Sequence, residues 1–262
     1  MILTIQGQGK LMYITTHLLC RDTIKFLKVK WLTIFVIALF SSSITIMIDN
    51  IFVSNSNILT FFYESKMNQY YSLFDFVKAL TPYQQKRLLL FSIMKLFSSL
   101  IGSTVLIGIL TIFIKTIAFK KNSFLLELKK NNVFLFLNLF LLIFIITIII
   151  QLGLMLLIIP GMMFCILLSL SPIILMTNNT TIIQSIISST QITLYNFKII
   201  TPAIILWLLS KLVILILLSN IKIISGCILS LLLNTMTNII SSILIIYLFR
   251  FYMLSTSLSH SN

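Results

Sequence analysis

The chain has 262 residues, of which 59% are hydrophobic and 9% charged, with a formal net charge of +14 and a mean hydropathy of +1.12. A water-soluble domain carries roughly a quarter of its residues as charges, so this composition excludes a soluble fold and points to lipid as the surrounding medium. The positive charge does not indicate nucleic-acid binding, because the basic residues flank apolar runs instead of forming a compact basic domain; that placement orients membrane helices and attracts anionic headgroups.

Residues 1–30 are polar and basic, with Lys10, Arg21, Lys25, Lys28 and Lys30 against Asp22. A first span follows at about 31–48. It is too long for a signal-peptide core and no small-x-small cleavage site follows it, so it reads as an uncleaved anchor. Residues 49–87 form an external segment holding Asp49, Glu64 and Asp75. Within it, Thr81-Pro82-Tyr83-Gln84 is a helix start, with Thr as cap, Pro at the first helical position and Gln reaching back. That helix leads into the second span, 91–114. Its residues Ser98, Gly102, Thr104 and Gly108 form small-xxx-small pairs suited to close helix packing.

The loop 115–132 carries Lys115, Lys120, Lys121, Lys129 and Lys130 against Glu127, the pattern of a cytoplasmic loop. From Val133 to Met176 no charge occurs. One helix of that length would extend about 66 Å, twice the roughly 30 Å of hydrocarbon, so it must be two spans. Pro160-Gly161 is the expected break, with spans at 133–156 and 159–176 joined by a tight turn. In 180–197, Ile183, Ile187, Leu194 and Phe197 fall near one helical face and Gln184, Ser185, Ser188 and Gln191 fall elsewhere. This predicts an amphipathic helix in the cytoplasmic interface; a polar membrane span is the competing reading. Thr201-Pro202 is expected to start the fifth span, 202–219. The sixth, 227–249, ends at Arg250 with Tyr247 and Tyr252 as interface anchors.

The fold class is therefore all-α: a polytopic transmembrane bundle of about six spans in one integral membrane domain covering 1–262. Twelve basic residues fall inside and six outside if both ends are cytoplasmic, which favours that orientation. Lys66, Lys78, Lys86, Arg87 and Lys95 supply five of the six.

Polar residues within the spans are the candidates for function. Lys211 is the one charge deep in a span, about nine residues after Pro202 and near the expected midplane, where a charge costs from about 2.5 to above 10 kcal/mol. On the sixth span Asn234, Asn238 and Ser242 recur every four residues, flanked by Thr237 and Ser241. Lys211, Asn234 and Asn238 form the candidate intramembrane polar site, although such stripes also glue helices together. Gln151 and Asn138 are weaker polar points in the third span. No catalytic, cofactor-binding or metal-binding constellation is identified. Cys20, Cys165 and Cys227 are isolated, His17 and His260 lie at opposite ends, and H-E-x-x-H is absent.

RDTIKF at 21–26, LFDFVKALTPYQQ at 73–85, QLGLMLLIIPGMM at 151–163, TPAIILWLLSKLVIL at 201–215 and SSILIIYLFRFYML at 241–254 together resemble the YciC family of uncharacterised inner-membrane proteins of enteric bacteria. The resemblance runs from about Met12 to Leu254. It implies a bacterial inner-membrane location and about six helices, and assigns no activity. More loosely, IIPG, SPIILM and the following amphipathic segment are similar to membrane domains found beside some glycerophosphodiesterases, which carries over no catalytic residue.

Three function classes follow. The leading one is a non-catalytic component of envelope maintenance or membrane assembly, partnered by the bilayer, anionic phospholipid headgroups and other inner-membrane proteins, without nucleic acid or cofactor. The second is a small-solute or lipid transporter or channel using Lys211 and the polar face of the sixth span. An enzyme is third. Residues 1–11 lie outside the resemblance, so translation is expected to begin at Met12. Intact-mass measurement of the native protein checks this, and peptides from residues 1–11 would refute it.

Overall fold

The computed structural model describes residues 4–5, 12–13, 16–53, 78, 80–118, 133–219 and 226–259. Most of the external segment, the basic loop beyond Ala118, and Lys222 with its turn lie outside the described residues. A two-residue antiparallel ladder pairs β1 (Thr4–Ile5) with β2 (Met12–Tyr13). The body is helical: α1 Thr16–Val53, α2 Pro82–Ala118, α3 Val133–Leu156, α4 Ile158–Leu167, α5 Ser171–Asn178, α6 Ile182–Tyr195, α7 Phe197–Ser219 and α8 Gly226–Ser259.

Six stretches among the described residues are long and apolar enough to cross a membrane, α4 and α5 together making the fourth. Their outward faces would be untenable in water. Leu206, Leu209, Leu212, Val213, Leu215, Ile216 and Leu217 of α7 are each more than half exposed, an apolar surface that soluble monomers do not present.

α1 is longer than the first predicted span because the basic flank is itself helical. Leu19, Thr23 and Phe26 are buried on one side while Arg21, Lys25 and Lys28 are exposed. The backbone leaves helical geometry at Lys30 (φ −117°, ψ 18°), where the basic arm gives way to the apolar span. α2 begins as predicted: Gln84 N–H donates to Thr81 Oγ1 (3.4 Å) and Thr81 N–H to Gln84 Oε1 (2.9 Å).

The small residues of α2 are packing sites. A Cβ on Gly102 would lie 2.0 Å from Thr45 Oγ1, and one on Gly108 would lie 2.4 Å from the Phe136 ring. Ser41 Oγ donates to the Gly102 carbonyl at 2.7 Å, tying α1 to α2 at this close approach. Nearer the expected external end, Asp49 pairs with Lys95 and accepts from Ser98.

The α3–α4 break falls at Leu157, three residues before the predicted proline. Leu157 is extended (φ −160°, ψ 151°), and Pro160 sits in the first turn of α4, where its missing N–H leaves no helical bond unmade. Gly161 supplies close approach instead, since a Cβ on Gly153 would stand 2.9 Å from its Cα. The predicted fourth span is bent, with a tight turn at residues 168–170 separating α4 from α5.

Three further expectations are corrected. Pro202 does not open α7, which starts at Phe197; Ile199 and Ile200 N–H donate to the carbonyl of Asn196. Thr201 Oγ1 caps nothing and is buried without a hydrogen-bond partner among the described residues. Tyr247 and Tyr252 are not exposed anchors, being 6% and 4% exposed. Tyr247 Oη donates to the Ile199 carbonyl (3.1 Å) and Tyr252 Oη accepts from Asn178 Nδ2 (2.8 Å).

α6 has its own capping box, Thr181 with Gln184. Its small polar residues Ser185, Ser189 and Thr193 are buried against the bundle while Ile183, Ile187 and Leu194 face outward. Ser185, expected on a solvated face, is inside. α8 extends past Arg250 to Ser259, and its Ile246, Phe249 and Phe251 are fully buried in the main core with Leu19, Phe26, Leu110 and Leu170.

Replacing Gly102 by valine must separate α1 from α2 or displace Thr45, and overpacking of this kind costs about 1–3 kcal/mol. The Gly102→Val protein in detergent is expected to melt several degrees lower than the parent, whereas Val213→Ile on the outward face is expected to leave the melting temperature unchanged. Equal melting temperatures for Gly102→Val and the parent would contradict the close approach.

Candidate functional site

A half-open cavity of about 370 Å³ lies between the helices, lined by residues of α1, α2, α3, α4, α5, α7 and α8. The three sequence-predicted residues, Lys211, Asn234 and Asn238, all line it. The i, i+4 spacing on α7 places Lys211 Nζ over the Trp207 ring, 4.1 Å from its centroid. A desolvated cation–π contact of this kind contributes about 2 kcal/mol. Trp207 is fixed in turn by its Nε1–H, which donates to Ser241 Oγ at 3.3 Å.

The asparagine stripe divides in the structure. Asn238 Nδ2 donates to Ser42 Oγ (2.9 Å), joining α8 to α1. Ser242, expected on the same face, is fully buried and donates to the Asn238 carbonyl (2.8 Å). Asn234 makes no side-chain hydrogen bond among the described residues, and it lies on the cavity wall with Thr237 and Ser241. Asn238 therefore has a packing role at the rim, while Lys211 and Asn234 keep donors directed to the shared volume.

The position of Lys211 along its helix follows from where α7 begins. Because α7 starts at Phe197, the lysine lies about 21 Å along the helix and about 12 Å before its end at Ser219. Residues the sequence did not single out complete the wall: Trp207, Ser99 and Ser103 of α2, Thr147 of α3, and Ser169 at the bend of the fourth span. A tryptophan four residues before an intramembrane lysine was a readable signal; the hydroxyls were not, since their convergence depends on tertiary packing. Gln151 and Asn138 do not line the cavity.

Among the described residues no group of three or more His, Cys, Asp or Glu is arranged to hold a metal ion. Asp49, a possible acid–base group by type, is engaged by Lys95 and Ser98. Glu64, Asp75 and His260 lie outside the described residues.

Residues 12–254 match the family model described as Uncharacterised protein family (UPF0259). A UPF0259 membrane protein of Buchnera aphidicola subsp. Baizongia pistaciae is 50% identical over 243 residues, covering 93% of this chain and 97% of that protein. A UPF0259 membrane protein of Pectobacterium carotovorum is 36% identical over 248 residues (93% and 99%), and one of Yersinia pestis is 34% identical over 247 residues (93% and 96%). No solved structure matches. With nearly the full length of both chains aligned and the six apolar helices present, this protein belongs to the UPF0259 family of membrane proteins, the family to which the YciC resemblance pointed.

Proposed function

We propose that this protein is a non-catalytic inner-membrane component that holds a membrane-borne ligand in its central cavity and thereby supports envelope integrity. The observation that carries the reading is the convergence of Lys211, Trp207, Asn234 and Ser241 on one internal volume. A charge at that depth is expensive, and a cavity edged by the Lys211 ammonium and the Asn234 amide, neither hydrogen-bonded among the described residues, is the arrangement that recognises a polar group within an apolar medium.

The orientation goes with this reading. Both termini lie in the cytoplasm, as the excess of basic residues in the N-terminal arm and the 115–132 loop supports. The exposed Arg21, Lys25 and Lys28 of the α1 arm then sit against anionic headgroups. The outward Ile183, Ile187 and Leu194 of α6 suit a helix lying in the cytoplasmic interface. Other inner-membrane proteins are partners through the external segment.

One observation favours the transport reading. The fourth span bends at residues 168–170, and Leu168, Ser169 and Pro172 at that bend line the cavity. Interrupted membrane helices at a binding site recur in transporters.

Alkaline phosphatase fused after Leu254 is expected to be inactive, as cytoplasmic placement requires; an active fusion would reverse the topology. In Pectobacterium carotovorum, removing the related chain is expected to raise detergent and osmotic sensitivity. This chain is expected to restore resistance, and its Lys211→Ala variant, at equal membrane abundance, is expected not to. Full restoration by Lys211→Ala would remove the cavity from the function. A defect confined to uptake of one solute would select the transporter reading.

A further inference from the structure

The cavity is two-sided. α7 and α8 bring Lys211, Asn234 and Ser241 to one wall, and α3 brings Ile143, Ile146 and Ile150 to another. No described carboxylate pairs with Lys211, and the ion pair recorded among the described residues is Lys95 with Asp49. The Trp207 face offsets the charge of the ammonium, but a π face leaves its N–H donors without an oxygen acceptor. Asn234 adds amide donors with no described partner.

The cavity-lining residues at the bend of the fourth span add no backbone donor to this set: Leu168 N–H goes to the Phe164 carbonyl and Ser169 N–H to that of Ile166. Ser171 N–H goes to the Leu168 carbonyl, Ile173 and Ile174 N–H go to that of Leu170, and Pro172 has none. Recognition of a ligand's charge therefore falls to the side chains of α7 and α8. A positive group with free donors, an adjacent amide and a facing apolar wall are complementary to an anion joined to hydrocarbon.

We propose that the cavity binds the phosphate-bearing anionic head of a membrane amphiphile. Lys211 leaves the Trp207 ring to donate to the phosphate oxygens, Asn234 donates beside it, and the α3 wall takes the first part of the apolar tail. This rests on the reading of the cavity as a binding site. Free phosphate shares the head-group chemistry but would make no use of the isoleucine wall.

The chain has two tryptophans, and Trp31 is exposed on α1, away from the cavity. In full-length Trp31→Phe protein in neutral detergent, Trp207 becomes the sole indole and reports the departure of the ammonium from its face. Titration with short-chain phosphatidic acid is expected to shift Trp207 emission saturably. Short-chain diacylglycerol is expected to leave it unchanged, and inorganic phosphate is expected to require at least about a hundredfold higher concentration, the difference made by burying a few methylenes.

Lys211→Met is expected to weaken the phosphatidic acid midpoint by about tenfold or more, as loss of a charge-assisted bond implies. Lys211→Arg, which keeps the charge, is expected to retain the midpoint within a few-fold, and cooperative melting of both variants at or above the parent's temperature shows that they are folded. Equal response to phosphatidic acid and diacylglycerol, or an unmoved midpoint in folded Lys211→Met, would overturn the anion assignment. Inorganic phosphate matching the lipid would overturn the amphiphile. If phosphatidic acid fails here while Lys211→Ala still fails to restore envelope resistance in the cell, the ligand assignment falls and the binding reading stands; if phosphatidic acid fails and Lys211→Ala restores resistance, both fall.

Discussion

Hydrocarbon offers no hydrogen bonds, so each polar group carried into the bundle has to find its partner within the protein. The spans contain many hydroxyls, and most resolve the problem locally. Thr23, Ser42, Thr45, Thr104, Thr116, Thr147 and Thr235 each donate to the carbonyl four residues earlier in their own helix, at 2.7–3.0 Å. A serine or threonine engaged in this way presents little polarity to its neighbours. The abundance of hydroxyls therefore does not make the interior a water path.

Where the backbone departs from a regular helix, carbonyls lose their internal partners and the same constraint recruits side chains from other elements. At the bend of the fourth span, Ser189 Oγ on α6 donates to the Leu167 carbonyl at 2.7 Å. Next to Pro202, whose ring disturbs the preceding turn, Tyr247 on α8 donates to the Ile199 carbonyl. At the end of α5, Asn179 adopts the left-handed conformation (φ 53°) and returns its N–H to Leu175, while neighbouring Asn178 reaches Tyr252. These contacts explain why the small polar side of α6 faces inward and why two tyrosines placed for an interface are buried. The Ser189 contact closes the polar gap left by the irregular fourth span.

The architecture was legible because its signals are one-dimensional. Span length, charge-free runs and the Thr81–Gln84 cap are local properties, and the small residues at Ser98, Gly102, Thr104 and Gly108 read correctly as packing. Boundaries were less so where two local rules competed. Pro160 and Pro202 both suggested breaks, yet the helices are interrupted at Leu157 and Asn196: Pro160 falls in the first turn of its helix, where a missing N–H leaves no bond unmade, whereas Pro202 lies inside α7 and forfeits the bond to the Lys198 carbonyl. The helical α1 arm was missed because its apolar side, Leu19 and Phe26, is only two large residues wide and is meaningful only against α8. In the candidate site, Lys211 stood out as the charge within a span. The separation of Asn234 from Asn238 could not be read, because it depends on Ser42 lying opposite one and open volume opposite the other.

Arg250 provides the comparison that defines what is unusual about Lys211. Both cations lie over aromatic rings, Arg250 over Phe26 at 5.4 Å and Lys211 over Trp207 at 4.1 Å. Arg250 packs where α8 meets the basic arm of α1. For Lys211 the simplest relief would be to run its flexible stem along the outward face of α7 toward an interface, where Leu212, Val213 and Leu215 are exposed. It turns inward instead, toward a cavity that also holds an unengaged amide. The cation–π contact, about 2 kcal/mol, offsets only the lower estimates of the cost of placing that charge in hydrocarbon. Packing alone would be served as well by an apolar side chain of the same length. The inward lysine thus retains, at a net energetic cost, a positive charge facing internal volume, and an anion entering that volume supplies the compensation that the described residues lack.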